Sequence, residues 1–259
     1  MKAQVYSVEG KALREVQLPQ QFSADVRSDL IARAAISDQT KRYQPKGNDP
    51  RAGLETSARY RGRKEDFGSG KNKGTAIRPR EVLPKGRLGK VKRIPSAVKG
   101  HRAHPPHVNK VIVEKVNKKE YRVALVSAIA ATAHKDAVQS RGHRIKTAVP
   151  LVFDSAFESV AKTADVYKAL FPLIGEDLAR AQKRKLRIGV RKRKCGKTYP
   201  SSAIIVVSKD SPLLRAGRNI PGVSTVKVSD LSVELLAPGA KAGRLAAYTE
   251  AALAEIAKL

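Results

Sequence analysis

Apolar and polar residues alternate along Lys2–Val8 and again along Leu13–Leu18, with Glu9, Gly10 and Lys11 between the two runs. A period of two on either side of a glycine turn predicts a short β-hairpin. The period then changes. From Asp25 onward, Val26, Leu30, Ile31, Ala34 and Ala35 fall on one face of a helix, with Ser23 placed to cap it and Pro45 beyond its end near Tyr43. Patterned segments return after residue 110. Asn117 and Glu120 have the spacing of a capping box and open a helix through Tyr121, Leu125, Ala128, Ile129 and Thr132. Val149–Phe153 reads as a short buried strand, and Val160–Leu173 and Gly175–Lys185 read as two helices. Ala203–Val207 is apolar throughout, as a strand covered on both faces is. Val223–Val228 is a further strand. Gly243–Leu259 reads as an amphipathic helix carrying Leu245, Tyr248, Ala252, Leu253, Ile256 and Leu259. Strands alternating with helices predict an α/β, Rossmann-like globular domain with a mostly parallel central sheet. The chain has no Trp and few aromatic residues, so its core must rest on Ala, Val, Leu and Ile.

Neither period persists between residues 44 and 110. Across 41–110 only 17 of 70 residues are hydrophobic, while the segment holds 9 of the 18 glycines and 7 of the 14 prolines. Such a stretch buries too little apolar surface to offset its ordering entropy and is expected to order only with a partner. The expected organisation is therefore 1–43 as the N-terminal hairpin and first helix of the globule, 44–110 as a long, largely irregular internal loop, and 111–259 as the rest of the globule, with a second loop at 183–199.

Charge turns this picture into a functional one. The formal net charge is +29. Residues 41–110 carry 20 Lys and Arg against 5 acids, a net +15, and residues 183–194 carry 8 with no acid, a net +8. The remaining 177 residues hold only +6, so the chain reads as an ordinary globule with two basic appendages. Self-repulsion on this scale calls for a polyanion, and nucleic acid fits because neutralised phosphates release condensed counterions. Within the long loop the expected RNA contacts are Arg59, Tyr60, Arg61, Arg63, Lys64, Lys71, Lys73, Arg78, Arg80, Lys85, Arg87, Lys90, Lys92, Arg93, Lys99, His101, Arg102 and His104. Within the second they are Lys183, Arg184, Lys185, Arg187, Arg191, Lys192, Arg193, Lys194 and Lys197. Glycine lets backbone approach phosphate closely, and arginine planes, Tyr60 and Phe67 are suited to stack on unpaired bases.

Other chemistry is poorly supported. No G-x-G-x-x-G joins a strand to a helix. Gly196-Lys197-Thr198 matches the end of a phosphate loop, but Arg191 stands where its first glycine is needed. His101, His104 and His107 are spaced three apart, yet adjacent prolines extend the chain and no Cys or Asp completes a metal shell. His134 and His143 are isolated and read as structural or surface residues. Cys195, the single cysteine, lies among cations that would lower its pKa, but reads as a small residue in a basic loop. A lone cysteine suits a reducing compartment, Glu9 interrupts the place of a signal peptide's apolar stretch, and the run Val123–Ala133 is far short of the ~18 residues a membrane span needs. Neither a catalytic site, a cofactor nor a metal is expected. The rival readings are an RNA-modifying enzyme, which lacks its cofactor loop, and a chromatin-type DNA binder.

Several stretches, in order, carry a resemblance. They are Val26–Ala35; Arg93-Ile-Pro-Ser-Ala-Val-Lys-Gly-His-Arg-Ala-His-Pro-Pro106; Arg141-Gly-His143; Val149–Val152; Arg218-Asn-Ile-Pro-Gly222; Leu236-Ala-Pro-Gly239; Gly243-Arg244; and Thr249–Leu253. Together they resemble the universal L-four family of large-subunit ribosomal proteins in its archaeal and eukaryotic branch, over nearly the whole chain. Lys99 and His101 depart from the Gly and Arg usual in that branch. The resemblance implies a non-enzymatic constituent of the cytoplasmic ribosome that binds large-subunit rRNA and supports assembly. It also implies an internal loop that reaches the wall of the polypeptide exit tunnel. There the expected tip residues Lys64, Phe67, Lys71 and Lys73 would lie near the nascent peptide and a loop of the L-twenty-two family.

Overall fold

A computed structural model of the chain describes residues 1–186 and 196–259. In chain order its elements are β1 (Lys2–Tyr6), β2 (Ala12–Gln17), α1 (Ser28–Thr40), β3 (Arg80–Val82), β4 (Leu88–Val91), α2 (Lys118–Ala133), α3 (Lys135–Ser140), β5 (Leu151–Phe153), α4 (Thr163–Gln182), β6 (Lys185–Leu186), β7 (Lys197–Thr198), β8 (Ile204–Val207), α5 (Pro212–Arg218), β9 (Ser224–Lys227), α6 (Val233–Leu236), β10 (Ala246–Thr249) and α7 (Glu250–Ile256). The backbone divides into two compact units. One joins Met1–Arg42 to Val113–Leu259; the other is Tyr43–Ile112.

The first unit is built on a six-stranded sheet in the order β2-β1-β5-β10-β8-β9. Only the β1–β2 hairpin is antiparallel; the four remaining pairings are parallel. Strand period sorts the core into two layers. Val5, Val152, Ile204, Val206 and Tyr248 pack on one face with Ile31 of α1, Ile129 of α2 and Ile256 of α7. Tyr6, Phe153, Ile205, Val207 and Ala247 pack on the other with Val138 of α3, Leu170 and Leu178 of α4 and Leu213 of α5. The α/β globule with a mostly parallel sheet is thus as expected.

Three local expectations are corrected. Gly243–Leu259 is not one helix: Ala246–Thr249 is a strand hydrogen-bonded to both β5 and β8 near the middle of the sheet. Ala246 and Ala247 pack on opposite faces of the sheet, and Thr249 accepts a hydrogen bond from the backbone N–H of Ala252 at 3.2 Å, so the helix starts only there. By contrast, the expected division into Val160–Leu173 and Gly175–Lys185 is present: α4 leaves helical geometry at Ile174, between the two, just after Pro172. Helix α1 begins at Ser28 rather than Asp25. Ser23 belongs to a separate tight turn, Gln20–Ser23, held by the buried Phe22 ring, which meets Tyr248 edge-on at 5.2 Å. Asn117 precedes α2 but makes no side-chain cap.

Candidate nucleic-acid interface

In the 43–112 unit, Ala58 is the single buried apolar residue. Its order comes instead from backbone geometry. Strands β3 and β4 form a small antiparallel hairpin, and Arg59 bridges Arg80 on its outer side. The hairpin turn uses Lys85 and Gly86 in left-handed conformation and closes with Leu83 N–H donating to the Arg87 carbonyl at 2.8 Å. A second closed turn spans Arg93–His101, sealed by His101 N–H donating to the Arg93 carbonyl at 3.2 Å. Two passes of the loop cross at Gly53, whose φ is +82° and where an added Cβ would lie 2.5 Å from the carbonyl oxygen of Gly100. Only glycine fits that crossing.

The cations of this unit have few partners of their own. Among the described residues, Arg51 pairs with Glu55 at 3.5 Å and Lys92 with Glu81 at 3.8 Å, and no other Lys or Arg of the unit reaches a carboxylate. Arg59, Arg61, Arg78 and Arg80 line one cavity of ≈ 10 Å³, about the room of one water, together with Tyr60 and no acidic residue. Arg61 donates from Nη1 to the Phe67 carbonyl at 2.6 Å. The Nε donors of Arg61 and Arg80 are buried without a partner among the described residues.

The other expected contacts of the unit are spread over its turns. Arg63, Lys64, Phe67, Lys71 and Lys73 are exposed on the turns of 63–75, with the Phe67 ring 65 % accessible. Lys85 and Arg87 are exposed at the hairpin turn, Lys90 on β4, and Arg93 and Lys99 on the closed turn; Lys92 and His101 are half-buried, and Arg102 and His104 exposed. His101, His104 and His107 are not gathered with other His, Cys, Asp or Glu into a metal-holding group, and the described residues contain no such group.

Lys183, Arg184 and Lys185 are exposed where α4 ends and β6 begins. Strand β6 pairs antiparallel with β7, which carries Lys197, and Arg184 donates to the Tyr199 hydroxyl at 2.7 Å while lying over its ring. Arg187, Arg191, Lys192, Arg193, Lys194 and Cys195 lie outside the described residues.

Pattern reading missed the polar clusters that fix the roots of both basic segments. At the long loop's root, the Glu114 N–H donates to Thr40 Oγ1 at 3.1 Å, and Ser37 Oγ donates to the Glu114 carbonyl at 2.6 Å. The end of α1 thereby holds the returning chain by both groups of one peptide residue. Beside it the Tyr121 hydroxyl donates to Asp38 at 2.8 Å; burial first, and then the Asp38 carboxylate, push its pKa up to about 12. At the other root, buried Asp177 of α4 meets His143 Nδ1 at 3.1 Å and accepts from Ser202 Oγ at 2.6 Å and Arg180 Nε at 2.9 Å. Arg180 also donates to the Ser201 carbonyl at 2.9 Å, so the two chain ends flanking the basic hairpin are tied together. Burial opposes ionisation of Asp177, but hydrogen bonds from His143 and Ser202 and the charges of His143 and Arg180 outweigh it and hold its pKa below the usual value. Nearby, buried Arg244 donates to the carbonyls of Ser202 and Leu235, both at 2.9 Å. Burial, then the Arg141 charge, lower its pKa to about 10 against the pull of Asp177, leaving it cationic at neutral pH. The available signals were an acid on the apolar face of α4 and the Gly243-Arg244 pair; neither names its partners.

No helix among the described residues is long and apolar enough to cross a membrane. Comparison with known proteins gives one consistent result. The family described as the ribosomal protein L4/L1 family matches residues 16–259. The chain is 44% identical over 262 residues to the large ribosomal subunit protein uL4 of Methanocaldococcus jannaschii, covering 99% of this chain and 98% of that protein. It is 43% identical over 255 residues to that of Methanoculleus marisnigri, with 98% and 97% covered, and 41% identical over 257 residues to that of Archaeoglobus fulgidus, also with 98% and 97% covered. An α/β globule, two basic segments rooted in buried polar clusters and a match over nearly every residue lead to one assignment: the chain belongs to the ribosomal protein L4/L1 family.

Proposed function

We propose that this chain is a non-catalytic structural constituent of the large ribosomal subunit. Its loop, 44–110, binds rRNA and supports subunit assembly, and 183–199 makes a second rRNA contact from the globule. Family membership supports the ribosomal role. The observation that carries the rRNA reading is charge without internal compensation: the 43–112 unit holds a surplus of cations, and only Arg51 and Lys92 reach a carboxylate among the described residues. RNA phosphates are the counter-charges such a unit fits. The residues proposed to make the contacts are those named from the sequence, Arg59 to His104 in the loop and Lys183 to Lys197 in the second segment. By the family resemblance, the turn bearing Lys64, Phe67, Lys71 and Lys73 contributes to the wall of the polypeptide exit tunnel, beside the nascent peptide and an L-twenty-two family neighbour. The protein would accordingly act in the cytoplasm as part of the ribosome.

Deletion of residues 50–100 tests this. The shortened chain is expected to keep a cooperative unfolding transition and a circular dichroism spectrum of an α/β domain, yet to be lost from large subunits in sucrose gradients. Unfolding on deletion would sink the idea of an appendage. Equal affinity of the intact chain for large-subunit rRNA and for duplex DNA at matched physiological salt would favour a general DNA binder instead.

A further inference from the structure

The closed turn Arg93–His101 and strand β4 enclose a cavity of ≈ 470 Å³ that opens to solvent. This is within the range of about 300–1,000 Å³ found for sites that hold small organic groups. Val91, Ile94 and Val98 give it an apolar lining, and Val98 stands at 83 % exposure with nothing among the described residues to cover it. Arg78, Lys90, Lys92 and Lys99 supply four cations, and among the described residues no carboxylate lines the cavity; Lys92 reaches Glu81 outside the lining at 3.8 Å. The wall is preformed. Ile94, Ala97 and Gly100 donate backbone hydrogen bonds in succession to Lys92, Ile94 and Ala97 at 2.9, 3.1 and 3.0 Å. Arg93 and Lys99, at φ +70° and +59°, hold left-handed geometry that residues other than glycine adopt at some cost.

A flat apolar group with a negatively charged tether is what such a cavity complements. We propose that it receives one unstacked nucleotide of the bound rRNA, with the base against Val91, Ile94 and Val98 and its flanking phosphates on the four cations. This rests on the reading of 43–112 as the RNA-contacting unit and adds to it a specific pocket. Sequence-specific RNA recognition commonly works on bases splayed out of the stack, and a preformed pocket lowers the ordering needed to hold one. An acidic peptide would satisfy the cations but leave the apolar lining without a matching group.

The test uses the full chain, purified large-subunit rRNA and two matched variants. Val98→Glu puts a carboxylate at the mouth of the cavity. Val111→Glu makes the same change at a site 81 % exposed and outside the cavity lining. Affinity is measured at fixed salt, and the rRNA is probed by 2′-hydroxyl acylation and dimethyl sulfate. Losing one base's apolar contact and repelling its phosphates is expected to weaken V98E on the order of tenfold. V98E should also lose the altered reactivity of a single unpaired nucleotide that wild type and V111E both produce. Identical affinities and footprints for V98E and V111E would overturn the pocket while leaving the loop's RNA role intact. Failure of the wild-type chain to prefer rRNA over duplex DNA would remove both. Saturable binding of adenosine or guanosine monophosphate that V98E abolishes, with the rRNA footprint unchanged, would reassign the cavity to a free nucleotide. Competition by polyglutamate as effective as that by rRNA would overturn the base in favour of an acidic peptide.

Discussion

On both faces of the six-stranded sheet, Val5, Ile129, Val152, Phe153, Leu170, Ile205 and Tyr248 are fully buried, whereas from Tyr43 to Ile112 only Ala58 is a buried apolar residue. Each large side chain buried in the globule contributes about 1.5–3 kcal/mol. The loop unit has almost none of this and must still offset about 1–2 kcal/mol of backbone entropy per ordered residue. Turns, a short hairpin and the crossing at Gly53 give it shape but, at about 1 kcal/mol per hydrogen bond, fall well short of that cost, which leaves the balance to a partner. The electrostatics divide the same way. Globule cations meet carboxylates, as Arg14 meets Glu250 at 2.8 Å and Lys227 meets Asp210 at 2.6 Å, while most loop cations meet none among the described residues. One unit is stabilised from within; the other is shaped in advance but left to be neutralised from outside.

The sharpest way to break this comparison is to remove loop charge and ask whether folding notices. Replacing Arg59, Arg61, Arg78 and Arg80 together by Gln should lower the slope of log affinity against log salt by about 3, and weaken rRNA binding on the order of a thousandfold at low salt. The unfolding midpoint of the globule should stay within about 1 °C, because all four arginines lie in the loop unit and none belongs to the globule's core. Filter binding across a salt series and thermal melts decide it. A fall in the melting temperature comparable to that of a core truncation would show that the two units do not divide their work this way.

Next in size is a change inside the globule that should reach the RNA only through folding. Asp177→Asn leaves Arg180 facing a neutral amide and weakens the His143–Ser202 cluster. Breaking a buried charged cluster of this kind costs about 3 kcal/mol. The pH dependence has a definite sign. The folded-state pKa of Asp177 is depressed below its ordinary value of 3.8, so its stabilisation is complete above that value and is lost as pH falls through the folded pKa. Wild-type stability should therefore drop more steeply than that of D177N as pH falls below about 4, and the two curves should converge in acid. Parallel curves in urea melts across that range would remove Asp177 as the organising charge.

The sequence announced these regions unequally. Ala203–Val207 could only be a buried strand, and the charge surplus of 41–110 marked the loop without any structural knowledge. Strand β10 was hidden, because the run Leu245-Ala-Ala-Tyr248 satisfies helix and strand patterns alike; its flanking strands, β5 and β8, decide the matter, and they lie far off in sequence. The division between Val160–Leu173 and Gly175–Lys185 was legible, and α4 leaves helical geometry at Ile174, between the two. The root clusters were illegible for a related reason. Asp177, His143 and Ser202 meet across 34 and 25 residues, and a hydroxyl or an imidazole carries no mark of its eventual partner. The loop hairpin escaped because its strands have three and four residues, too few to display a period.

The smallest effect bears on the joint between the two regimes. Thr40 is buried, donates to the Ser37 carbonyl at 2.8 Å and accepts from the Glu114 N–H at 3.1 Å, so Thr40→Val keeps the shape and removes only the hydroxyl. The Glu114 N–H then lacks its partner, at a cost of about 1 kcal/mol, near the lower limit because Glu114 is exposed and water can reach it. For a domain of this size that lowers the melting temperature by about 2–4 °C. Affinity for rRNA should fall a few-fold, because the returning chain at Glu114 is less well fixed and more entropy is lost on binding. The salt slope should not move, since no charge is removed. A reduced affinity with an unchanged slope would separate positioning from neutralisation. A changed slope would mean that the root itself sets how many phosphates the loop can reach, and the two units would have to be treated as one electrostatic body.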